Sequence, residues 1–163
     1  VITRLRHGWL AATTLPGLLL NPQRRALFHE MQTFCRNLPM ALKGPLPEAL
    51  QRLTPITNHP SPITNEPIIR RLADLAALLD RRSPLGLCLR RSLVRYHFLR
   101  REGLPVRLRF GAKFVGGKPD RDVTGHAWLT LDGQPYHEAG ENWRGFAIMF
   151  SFPNSNANSN SPL

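Results

Sequence analysis

Apolar residues recur every three to four positions up to about residue 102 and every second position after residue 105, so the pattern predicts helices followed by strands. The clearest helix begins near Cys88. Between Cys88 and Glu102 there is no Gly or Pro; Leu89, Leu93 and Tyr96 form a stripe, with Val94 and Phe98 beside it. Arg90, Arg91, Arg95, Arg100 and Arg101 fill the other positions, and Gly103 and Pro105 end the run. Ser83-Pro84 and Gly86 mark the turn before it, so Cys88 is expected in the first helical turn.

Upstream, residues 3–20 read as a short helix ending at Leu15-Pro16-Gly17, followed by an apolar segment. Asn21-Pro22 starts a second helix, with Ala26, Leu27, Met31 and Phe34 on one face, and Leu38-Pro39 closes it. Cys35 falls there and reads as packing. A short helix is expected at Pro47–Leu53. Residues 54–66 form a Pro-rich linker in which Pro-Ile-Thr-Asn-x-Pro occurs twice. Asn65 or Glu66 then caps a helix to about Arg82, with Ile68, Ile69, Leu72, Leu75, Ala76 and Leu79 on its apolar side.

Val106, Leu108 and Phe110 alternate with Arg107 and Arg109, which predicts a half-buried strand. After a polar loop at 116–124, a second strand covers Gly125–Leu131, Asp132-Gly133 turns the chain, and a third returns over Gln134–Glu138. Trp143–Phe152 adds a further apolar segment, and the Asn/Ser-rich end is expected to be disordered. The expected fold class is α+β. Its parts are a helical N-terminal region (1–53), a linker (54–66), a core (67–153) and a disordered tail (154–163).

Composition adds a constraint on partners. The chain has 163 residues and a formal net charge of +11, which points to an acidic peptide, protein surface, nucleic acid or membrane face. The charge is nearly all arginine and is spread out, with no dense basic block interleaved with aromatics, which disfavours a dedicated nucleic-acid binder. No apolar run approaches the ~20 residues of a membrane span. Arg4, Arg6 and Trp9–Leu20 faintly resemble a signal peptide, but Thr13, Thr14 and Pro16 interrupt the run, and a packing helix is the preferred reading. The two cysteines read as separate thiols, which implies a reducing, cytoplasmic setting.

The candidate chemistry is Cys88 with His126. A helix N-terminus favours negative charge, so a thiol there loses its proton more readily. His126, on the second strand, is the candidate general base, and it needs a third group to fix its tautomer. If Leu131-Asp132-Gly133 is a three-residue loop, His126 opposes Glu138 with Cβ atoms roughly 5 Å apart. If Asp132-Gly133 is a two-residue loop, the register slips by one, His126 opposes Ala139 and Glu138 faces away. Glu138 is preferred over Asp132, Glu141 and Asn142. No cofactor or metal is expected.

Cys-Leu-x-Arg-Ser-Leu at 88–93, Leu-Arg-Arg-Glu-Gly at 99–103 and His-Ala-Trp-Leu-x-Leu-Asp-Gly at 126–133 together resemble the transglutaminase-like leader peptidases of lasso-peptide biosynthesis, over residues 68–152. The resemblance implies a papain-like or transglutaminase-like core and a Cys-His-acid thiol protease. Cys88 is then the nucleophile and His126 the base, with Glu138 where members of that family commonly carry aspartate. It implies three partners: a precursor peptide, a separate leader-recognition protein (residues 1–66 lack the strand pattern of a fused one) and a ring-closing cyclase. Neither nucleic acid nor membrane is expected. The competing readings are amide formation by the same triad and a non-catalytic basic module that binds acidic peptide or nucleic acid.

Overall fold

The computed structural model describes residues 13–14, 16–56, 66–117, 122–138 and 142–153. The middle of the linker, the tail from residue 154 and most of the signal-like stretch lie outside the described residues. The chain divides into two compact units, Val1–Leu104 and Pro105–Leu163. The first is helical and the second holds the sheet, as the change of period at residue 105 predicts.

The helical unit contains α1 (Pro22–Ala41), α2 (Leu46–Leu53), α3 (Glu66–Leu79) and α4 (Leu87–Arg101). Residues 16–20 are also helical, where Pro16-Gly17 predicts a break. Asn21 caps α1 by accepting from the Arg24 N–H at 3.1 Å, and Pro22 occupies the first turn. Met31, Cys35 and Leu38 bury one face. The helix runs on through Pro39, because a proline in the last turn removes one hydrogen bond and keeps a helical φ; Leu42 N–H closes on Leu38 O at 2.9 Å. The third helix stops at Leu79 and not near Arg82: the Asp80 N–H still reaches Ala76 O at 3.3 Å, but the Arg81 N–H turns to Leu79 O at 2.9 Å, and the Asp80 carboxylate accepts from Cys35 Sγ at 3.5 Å.

Helix α4 departs most from its sequence pattern. Besides Leu93, Val94, Tyr96, Phe98 and Leu99, it buries Ser92, Arg90 and Arg95. The arginines therefore do not form an outward face. Arg95 is 2% exposed and donates from Nε and Nη2 to the two carboxylate oxygens of Asp74 on α3, both at 2.5 Å. Arg90 lies 3.7 Å from Asp80. A charge is tolerated in a core only with such a partner, and a bidentate fork is the strongest form of it. Further along α4, the His97 Nδ1–H donates to Leu53 O at 2.6 Å while its ring stacks on Phe34 at 4.3 Å. Burial holds His97 below its ordinary pKa, so it is neutral and structural.

The sheet unit is four-stranded and antiparallel in the order β3-β2-β1-β4: β1 (Arg107–Phe114), β2 (Val123–Leu131), β3 (Gln134–Pro135) and β4 (Ala147–Phe152). In β1 and β2, Gly111 pairs with His126 and Arg109 with Trp128. Strand β4 carries a bulge, with Phe110 opposite Phe150 and Gly111 opposite Ile148.

The Arg95–Asp74 fork makes a direct prediction. Asp74→Ala removes the carboxylate from a buried guanidinium and should destabilise the chain by about 3–5 kcal/mol in urea unfolding. Glu66→Ala, which breaks the part-exposed pair with Arg70, should cost under about 1 kcal/mol.

Candidate active site

Cys88 is the second residue of α4, in its first turn, as the sequence predicts. Gly86 is the N-cap, with extended φ −60° and ψ 148°, and supplies no side-chain acceptor to the first-turn N–H groups. Arg90 N–H closes the first helical bond on Gly86 O at 3.1 Å. Ser83 Oγ accepts from Leu85 N–H at 3.3 Å and shapes the approach. Cys88 is half-buried and in no disulfide.

Cys35 is its chemical opposite. It is fully buried and in no disulfide. Burial, with the Asp80 carboxylate adding to it, pushes its thiol up to about 12. The two thiols of this chain thus have different fates, and the sequence reading of Cys35 as packing holds.

His126 and Glu138 belong to the sheet unit, and the fold brings them together, with His126 Nε2 3.7 Å from Glu138 Oε2. The route differs from the one the sequence favoured. Asp132 and Gly133 have φ of 49° and 80°, so the connection is a two-residue turn with both central residues left-handed. Leu131 then pairs with Gln134 and Thr130 with Pro135, the register in which Glu138 ought to face away. The ladder does not continue that far. After Tyr136 N–H donates to Leu129 O at 2.8 Å, His137 takes φ 47° and the strand ends. A left-handed residue turns the chain, and the next side chain, Glu138, comes round to His126. Its carboxylate is almost wholly buried, 1% exposed against 14% for the imidazole, so the contact is sheltered from water. Of the other acids considered, Asp132 sits at the exposed hairpin tip, and Glu141 lies outside the described residues.

The sequence reading did not foresee what lies beneath the imidazole. His126 stacks on Trp128, two residues on along the same face of β2, with centroids 5.7 Å apart and planes 16° apart. Phe146 adds a third ring, 5.4 Å from His126 and 6.4 Å from Trp128, and Lys113 Nζ lies 4.4 Å from its centre. The shelf needs a glycine at 111. A Cβ there would stand 2.8 Å from the tip of Trp128 and 2.9 Å from Phe146 Cβ. The signal in the sequence was Gly111 itself, an interruption in an otherwise good strand, which marks a close approach.

The half-sites are thus a thiol in a helical first turn, and an imidazole backed by a carboxylate and held on an aromatic shelf. The sequence model of the transglutaminase-like superfamily matches residues 40–151, so the chain belongs to that superfamily. The superfamily includes cysteine peptidases and acyltransferases. No curated protein and no solved structure matches the chain.

Two outcomes follow from this geometry. Iodoacetamide at neutral pH should label Cys88 and leave Cys35 intact in the folded protein, as intact-mass and peptide mapping would show. With a pKa of about 12, only about one Cys35 thiol in 10⁵ is ionised at pH 7. Cys35 should react only as the pH is raised towards that value or the chain unfolds. Separately, Gly111→Ala should destabilise by about 1–3 kcal/mol through overpacking and change the near-ultraviolet dichroism of tryptophan. Gly125→Ala, whose added carbon meets only Gly111 O at 3.9 Å, should do neither.

Proposed function

We propose that the chain is a cysteine peptidase that removes the leader from a ribosomally made lasso precursor peptide, with residues 67–153 as its catalytic core. Membership of the superfamily supports a thiol enzyme, and the motifs around Cys88 and His126 support the leader-peptidase branch. The observation that carries the reading is the His126–Glu138 pair at 3.7 Å. A carboxylate beside Nε2 favours the proton on that nitrogen, which leaves Nδ1 to act as the base.

In this mechanism Cys88 gives its proton to His126, and the thiolate attacks the carbonyl carbon at the leader–core junction. The tetrahedral oxyanion is held partly by the Cys88 backbone N–H. The C–N bond breaks, His126 protonates the leaving amine, and a thioester remains on Cys88. His126 then takes a proton from water, whose oxygen attacks the thioester, and the leader leaves as a carboxylic acid with the thiol restored. Glu138 stabilises the imidazolium in both halves. A separate leader-recognition protein is proposed as partner, as the resemblance of the motifs implies. A ring-closing cyclase would take the freed core peptide next, in the cytoplasm. Among the described residues no helix is long and apolar enough to cross a membrane.

The test is to incubate the chain with a lasso precursor and a leader-binding partner and weigh the products. Cys88→Ala should abolish cleavage without altering the circular dichroism spectrum. His126→Ala should lower the rate by roughly 10²–10⁴-fold, the usual worth of a general base, with Glu138→Gln in between. Cleavage retained in Cys88→Ala would overturn the proposal, and a product carrying a new amide in place of a free carboxylate would reassign the chain to acyl transfer.

A further inference from the structure

The arginines of the helical unit differ in what holds them. Arg95, Arg90, Arg70 and Arg101 each have a carboxylate partner, namely Asp74, Asp80, Glu66 and Glu30. The side chains of Arg36, Arg81 and Arg82 have no hydrogen bond or ion pair among the described residues, and all three line one cavity of about 380 Å³. That cavity lies between α1, which supplies Gln32 and Arg36, and the end of α3, where Leu79 is followed by Asp80, Arg81 and Arg82.

Its own acid does not neutralise it. The Asp80 Oδ2 accepts from Cys35 Sγ at 3.5 Å and lies 3.7 Å from Arg90 Nη1, and Asp80, though part of the cavity lining, is outnumbered there by three arginines. Cationic side chains after the last turn of a helix complement its dipole, which explains part of Arg81 and Arg82. That does not explain Arg36, which comes from the middle of another helix and converges on the same space.

We infer that this cavity is a binding site for an acidic peptide segment, with a glutamate or aspartate carboxylate among Arg36, Arg81 and Arg82. Guanidinium groups hold carboxylates through paired N–H donors, and Gln32 adds an amide that can donate beside them. The three arginines are exposed at the rim, and the volume is enough for a side chain. Leu79 supplies an apolar wall, so a carboxylate next to an aliphatic residue fits best. A peptide is favoured over nucleic acid because no aromatic side chain lines the cavity, and single strands are held chiefly by stacking on aromatic rings. The site lies wholly in the helical unit and is read by binding, so its fate is independent of whether Cys88 cleaves anything.

The experiment is fluorescence anisotropy of the full chain with a short fluorescein-labelled peptide rich in glutamate and leucine, at physiological salt. Arg81→Glu combined with Arg82→Glu should weaken binding by at least about tenfold, a loss of ~1.4 kcal/mol. Arg36→Gln alone should weaken it measurably. The matched control is Arg25→Glu with Arg71→Glu, two exposed arginines of the same unit, which make an equal change in net charge and should weaken binding by less than about twofold. Melting curves check that all variants fold. Equal loss in both double variants would show a general charge effect and overturn the inference, as would failure of the unaltered chain to bind. It would likewise fall if single-stranded DNA bound more tightly than the peptide through the same arginines.

Discussion

A guanidinium cannot be taken out of water without a partner, and this constraint governs the helical unit. Arg95 is buried on α4, and the fork to Asp74 leaves it one productive orientation against α3. Arg90, nearer the start of α4, has a looser partner in Asp80 at 3.7 Å. Together they set the rotation of α4 about its axis, and therefore where the first turn presents Cys88. A helix held only by leucines tolerates small rotations by repacking, whereas one held by two ion pairs does not. The charge that looks like a solvent face in the sequence is thus what orients the thiol.

The sheet unit positions its imidazole by different means. His126 is held from below by Trp128 and Phe146, and from the side by Glu138. Both supports depend on a backbone feature. Gly111 leaves the space that the two rings occupy, and the left-handed His137 turns Glu138 towards the imidazole after the hairpin register has aimed it away. A buried carboxylate beside an imidazole strengthens as water is excluded, so the apolar shelf also serves the electrostatics.

The same accounting separates structural from available charge. Of the 22 lysines and arginines, some are matched inside the fold by aspartates and glutamates, and the surplus is not evenly distributed. Arg36, Arg81 and Arg82 converge because α1 and the end of α3 pack side by side, joined at Cys35 and Asp80. A buried thiol pushed up to about 12 and a cavity lined by three arginines thus share one carboxylate.

Much of this was legible in the chain. The change from a 3.6-residue to a two-residue period marked the passage from helices to sheet. Pro and Gly marked most element ends, and the position of Cys88 followed from a Gly before it and an uninterrupted helical run after it. These are local signals, carried by residues close in sequence. What the sequence misplaced depended on distant residues. The burial of Arg90 and Arg95 required the acids of α3, and the closeness of His126 and Glu138 came from a two-residue turn corrected by one left-handed residue. The value of Gly111 appears only when Trp128 and Phe146 cross over it. Periodicity records which side of an element is apolar, but it cannot say which charges will find partners, because that is decided by packing between segments far apart in the chain.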